Sequence, residues 1–137
     1  MAELVTNKTV EDAAIAWVMS LERAAGRLPV DSRFRGAPAD IESPPRIIEV
    51  KACGKGSFRG EALGLEARQV EEGLRNPNFY LYLVENVRQG APGLFTLKVF
   101  QGARLRALLE RAKPWGTMAV PLPVADYDSA PTSTEIE

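Results

Sequence analysis

Three charged residues in the stretch ADIESPPRIIEVKA (residues 39–52) have types and spacing suited to chemistry: Asp40, Glu49 and Lys51. The apolar and branched residues on either side of Pro44 and Pro45 predict two short strands folded back on each other. If the chain reverses at the two prolines, Asp40 falls opposite Glu49. Because side chains alternate along a strand, Lys51 shares the face of Glu49, while Ile41, Ile48 and Val50 share the other. A Pro-Pro tip is not the usual tight hairpin turn, so a wider loop with the same register serves equally. Two carboxylates opposed at about 5 Å between Cβ atoms repel each other unless a proton or a cation lies between them. Magnesium suits such a pair, since it takes one or two carboxylates, keeps several waters and completes its shell with phosphate oxygens. Lys51 beside the pair is placed to orient or deprotonate an attacking water, or to stabilise charge on a phosphate. On a solvent-facing hairpin the same three residues would form only weak surface ion pairs.

Composition removes most other chemistries. The chain has no histidine, which excludes an internal Ser-His-Asp or Cys-His site, a histidine base and histidine-ligated zinc. The single cysteine, Cys53, can form neither an internal disulfide nor a cysteine cluster, as expected for a reducing cytoplasm. Any metal is therefore held by oxygen ligands, which points to magnesium, manganese or calcium. A formal net charge of -1 gives no global attraction to nucleic acid, so binding would rest on local basic groups. Arg33, Arg35, Arg46, Lys55 and Arg59 are the candidate phosphate contacts, with scattered solubilising charge as the alternative. The loop GKGSFRG (residues 54–60) has glycines that let backbone amides approach a phosphate, but its spacing is not that of a P-loop.

The elements that must position these residues follow from periodicity. With 137 residues and 45% hydrophobic content, one domain over residues 1–127 is expected, with residues 128–137 a disordered tail. No apolar run reaches the roughly 20 residues of a membrane span, and residues 1–9 lack a secretory signal pattern, which predicts a cytoplasmic protein. TVEDAAIAWVMSLERAAG predicts a helix, with Thr9 and Asp12 as a capping box and Gly26 as its stop. Val10, Ala13, Ala14, Trp17, Val18 and Leu21 form its core stripe, with Glu22 beside it. A short strand is expected over residues 30–34, then the two strands of the hairpin, then a loop over residues 54–64 leading to a helix over residues 65–75. FYLYLVENV reads as a central strand covered on both faces and LFTLKVF as a further strand. ARLRALLERAK is an amphipathic helix; TMAVPLPV is extended, its prolines suited to a sheet edge or to leaving the sheet. The close links of the first three strands make them antiparallel, and the strand, helix, strand passage from 47 to 87 makes a parallel crossover. The expected fold class is α/β, a mixed sheet flanked by helices.

Asp40, eight intervening residues and then Glu49-Val50-Lys51 resemble the PD-(D/E)xK signature of restriction-endonuclease-like nucleases. The order helix, three strands, helix, strand resembles their core. More widely, PADIESPPRIIEVKA, LGLEARQVEEG and NFYLYLVENV resemble the C-terminal domain of the NO VEIN protein, over residues 10–87 and more loosely to 124. The proline precedes Asp40 by two positions rather than one. This resemblance implies a nuclease-like domain, in defence or DNA processing, that cleaves phosphodiester bonds with Mg²⁺ or Mn²⁺. Asp40 and Glu49 would be metal ligands, Lys51 the catalytic cation and DNA the partner. By the same resemblance Glu22 is a candidate for the acid that related nucleases place on the first helix, with a solvated helix-end acid as the alternative. Gln69 is a candidate for the polar residue on the helix after the EVK strand, against a solvent-facing glutamine. Tyr80 and Tyr82 are placed in the core rather than in base stacking. The competing functional expectations are a non-catalytic module binding nucleic acid or a protein, including a homodimer partner, and a purely structural domain.

Overall fold

The molecule is described from a computed structural model, over residues 6–115 and 117–132. The first helix, α1 (Asn7–Ala24), begins earlier than its sequence signature suggests. Thr6 is the cap: its hydroxyl accepts the Thr9 backbone N–H at 3.1 Å, and the Thr9 hydroxyl oxygen accepts the Thr6 N–H at 3.3 Å. Thr9 is therefore the inner residue of the box rather than its cap, because Thr6 offers the same hydroxyl three residues earlier. Asp12 instead forms ion pairs with Lys8 and Arg33. Val10, Ala14, Ile15, Val18 and Glu22 form the buried stripe, with Ala13, Trp17 and Leu21 packed at its margin.

The strand expected over residues 30–34 is only β1 (Val30–Asp31). The Arg35 N–H bonds back to the Ser32 carbonyl at 3.2 Å and turns the chain, which ends the extended run. The hairpin is β2 (Ile41–Ser43) and β3 (Arg46–Ala52), joined at Pro44 and Pro45. Within the expected loop lies a strand, β4 (Ala62–Leu65), and α2 follows (Ala67–Arg75). Then come β5 (Phe79–Glu85), two short 3-10 turns, β6 (Thr96–Gln101) and α3 (Gly102–Leu109). β7 (Lys113–Trp115), β8 (Thr117–Pro121) and α4 (Val124–Ser129) complete the described chain.

The five-stranded sheet has the order β1-β2-β3-β5-β6. β3 and β5 are parallel, and the other pairs are antiparallel. All seven residues of β5 are buried, as a near-continuous apolar run in a central strand requires. One face carries Ile48, Val50, Tyr80, Tyr82 and Val99 against α1. The other carries Phe79, Leu81, Leu83 and Phe100 against α2, α3 and a second sheet of order β4-β8-β7. β8 is the middle strand of that sheet, and its proline, Pro121, stands at its end where the chain leaves.

The segment expected to be a tail from 128 contributes to the packing. Ala130 is buried, the Pro131 carbonyl accepts the Val99 N–H at 2.9 Å, and Asp128 pairs with Arg59. Residues 133–137 lie outside those described. No helix among the described residues is long and apolar enough to cross a membrane.

Candidate active site

The hairpin register is Ile41 opposite Ile48, Glu42 opposite Ile47 and Ser43 opposite Arg46, which brings Asp40 to the level of Glu49 just before β2 begins. There the Asp40 side chain is fixed by the neighbouring strand: its Oδ2 accepts the Val50 backbone N–H at 3.0 Å. Glu49 is 3% exposed, and its Oε1 is buried with no hydrogen-bond partner among the described residues. Its Oε2 lies 3.4 Å from Lys51 Nζ. The three residues whose spacing first suggests chemistry thus meet at one point on the sheet.

Electrostatics at this point oppose ionisation. Burial, reinforced by the charge of Asp40 and only partly offset by Lys51, pushes the Glu49 carboxyl up to about 8. Burial also raises Asp40, against the Val50 N–H and Lys51, which favour its charged form. The Asp40 and Glu49 carboxyls lie close enough to hydrogen-bond when one is protonated, so a proton or a cation between them relieves their repulsion, and their hard oxygen donors fit Mg²⁺ or Mn²⁺. Among the described residues no group of three His, Cys, Asp or Glu has metal-binding geometry. The remaining ligands would therefore be water and substrate oxygens, as magnesium commonly uses.

Two open clefts meet at Asp40 and Lys51. One, of about 470 Å³, lies toward the start of α2 and includes Arg33, Glu66, Arg68 and Gln69. The other, of about 340 Å³, lies toward the start of α1 and includes Glu49, Asn7, Glu11, Gly54 and Arg88.

Other sequence candidates are dispersed. Glu22 is fully buried, but with other partners: it accepts hydrogen bonds from Arg27, from Ser43 Oγ at 3.0 Å and from the Tyr82 hydroxyl at 2.9 Å. Burial raises its carboxyl, yet these bonds outweigh it and leave the group below its ordinary value. Glu22 is on the α1 face of the sheet, whereas Glu49 alternates to the other, so it is neither a ligand beside Glu49 nor a solvated helix-end acid. Arg46 shares the face of Glu22, donating to the Tyr82 hydroxyl at 2.7 Å and lying 4.3 Å from the Tyr80 ring centroid; it is not a phosphate contact. Both tyrosines are core residues, as expected. Gln69 lines the larger cleft, and its side-chain oxygen accepts the Glu66 N–H at 3.0 Å, capping α2. Arg33 also lines that cleft but is held by Asp31, Asp12 and Glu11. Arg59 pairs with Asp128, while Arg35 and Lys55 are exposed.

Sequence reasoning missed Glu11 and Arg88, which reach the smaller cleft beside Glu49. Glu11 lies about 16 Å before Glu22 along the helix axis, at 1.5 Å per residue. Helical periodicity gives the core-facing stripe but not the end of the helix that abuts the acids.

This mixed sheet flanked by helices is a restriction-endonuclease-like fold. The structure is similar to that of Hjc, a Holliday junction resolvase from the archaeal hyperthermophile Archaeoglobus fulgidus. The TM-score is 0.50 at 13% sequence identity, over 90% of this chain and 91% of the resolvase chain. Residues 10–97 match the family described as Protein NO VEIN, C-terminal, and the chain belongs to that family. No curated protein matches the sequence.

Proposed function

We propose that this protein cleaves phosphodiester bonds of nucleic acid, DNA foremost, with Mg²⁺ or Mn²⁺ held by Asp40 and Glu49. The observation that carries the reading is the orphaned Glu49 Oε1, buried beside Asp40 and Lys51 at the meeting of two clefts. A bound divalent ion would supply charge neutralisation and Lewis acidity toward the phosphate. The Val50 N–H holds the Asp40 carboxylate in place, which limits the reorganisation needed to use it as a ligand. The proton that burial keeps on Glu49 near neutral pH must leave before that carboxylate can serve. Lys51, released from Glu49, has its ammonium free to donate to a phosphate oxygen and offset developing charge. The resemblance to a Holliday junction resolvase makes branched DNA a substrate worth including.

The test is incubation of the purified chain with duplex, single-stranded and four-way-junction DNA and with RNA, each with Mg²⁺, Mn²⁺ or EDTA. Metal-dependent cleavage that disappears in Asp40→Ala is expected. Cleavage that survives in Asp40→Ala, or none on any substrate, refutes the reading.

The burial of Glu49, 3% exposed and holding its proton near neutral pH rather than standing ready for a metal, favours a second reading, a module on the same fold that binds nucleic acid or protein without cutting. Salt-sensitive DNA binding that neither metal nor Glu49→Gln alters would select it.

A further inference from the structure

The smaller cleft contains a cation that the acid pair does not explain. Arg88 sits in the 3-10 turn Val87–Gln89, directly after β5, and lines the cleft with Asp40, Glu49 and Lys51. Its Nε is buried and has no hydrogen-bond partner among the described residues. Leaving such a donor unpaired is costly, so its placement calls for an acceptor.

The position of this guanidinium is built into the backbone. The Cys53 N–H bonds the Val84 carbonyl at 2.9 Å, the Val87 N–H bonds the Cys53 carbonyl at 3.2 Å, and the Arg88 N–H bonds the Gly54 carbonyl at 2.9 Å. These bonds stitch the end of β3, which carries Lys51, to the turn that carries Arg88. Gly54 leaves the space: a Cβ there would stand 3.1 Å from Arg88 Nε and 3.4 Å from its Nη2. Other arginines near the acids are engaged, Arg33 by three carboxylates, Arg68 by Glu66 and Arg46 by Tyr82.

We propose that Arg88 is a phosphate-binding residue, which with Lys51 holds a backbone phosphate of the nucleic acid in the cleft beside Glu49. The inference rests on the nuclease reading for its ligand class but not on cleavage. A planar guanidinium with fixed charge suits a phosphate, whose oxygens match its fork of N–H donors. It supplies locally the attraction that a net charge of -1 does not supply globally.

The experiment measures fluorescence anisotropy of labelled duplex and four-way-junction DNA in EDTA, over a NaCl series, for the full chain. Arg88→Met keeps the apolar stem and removes the charge. It is expected to weaken binding roughly tenfold and to make the salt slope shallower by about 0.9, the loss of one phosphate contact. Arg106→Met, the same charge change at an exposed site on α3, is expected to match wild type. Arg88→Lys should restore the slope while recovering only part of the affinity, and it covers the case in which Arg88→Met does not fold. The inference is overturned if Arg88→Met, or Arg88→Lys where Arg88→Met does not fold, binds as wild type does, if Arg106→Met weakens binding equally, or if the wild-type chain binds no DNA. A wild-type chain that binds through Arg88 but never cleaves sustains this inference and ends the nuclease reading; metal-dependent cleavage indifferent to Arg88 does the reverse.

Discussion

Glu49 keeps a proton near neutral pH because burial and the neighbouring Asp40 both oppose its charge. Its folded pKa of about 8 lies above the ordinary value of 4.5, so the folded state binds the proton more tightly than the unfolded chain. The stability this contributes is fully present below pH 4.5 and is lost as pH rises toward 8. In metal-free buffer, Glu49→Gln should therefore gain on wild type between pH 5 and pH 8.5, by on the order of 1–3 kcal/mol. Thermal melts across that range check it, and a gap that does not change with pH would refute it. Millimolar Mg²⁺ or Mn²⁺ should raise the midpoint of wild type at pH 8 and leave Glu49→Gln unmoved. Equal metal affinity of the two chains by calorimetry would remove the hairpin as the metal site. The opposition of Asp40 and Glu49 was legible in the sequence because strand alternation and a short reversal leave little choice of register. The role of Glu22 was not, because its partners Ser43 and Tyr82 come from β2 and β5 and only the assembled sheet brings them together.

At the scale of elements, long and strongly patterned segments were legible and short ones were not. The uninterrupted apolar run of β5 and the stripe of α1 each announce burial without reference to a partner. β4 does not: its four residues follow a glycine-rich loop and become a strand only by pairing with β8, Leu63 opposite Val120. The start of α1 turns on two threonines of equal chemistry, and the reciprocal bonds of Thr6 and Thr9 settle it. Thr6→Ala should cost about 1 kcal/mol, and Thr9→Ala should add little on that background, since either change breaks the same box. A double-mutant cycle by urea unfolding measures this; fully additive costs would mean that the two hydroxyls act independently.

For the molecule as a whole, the core on the side of the sheet away from α1 is closed in part by the C-terminal end of the described chain, and that segment does more than its composition suggests. Its Ser, Thr, Pro and acidic residues have the pattern of a solvated tail. Yet the Tyr127 hydroxyl donates to Glu85 Oε1 at 2.7 Å, Ala130 is buried against the face that carries α2 and α3, and Lys98 Nζ donates to the Ala130 carbonyl at 3.1 Å. The bond from the Val99 N–H to the Pro131 carbonyl covers part of β6, the outer strand of the five-stranded sheet. Ending the chain after residue 127 removes the last three of these contacts and exposes an edge strand. The loss of a buried residue and two hydrogen bonds should cost about 2–3 kcal/mol and make the truncated chain more prone to associate. Asp128→Ala in the full chain removes only the solvent-exposed pair with Arg59 and should leave stability nearly unchanged. Thermal melts and light scattering of the two variants together test where the folded unit ends. A truncated chain as stable and as monodisperse as Asp128→Ala would place that end at residue 127.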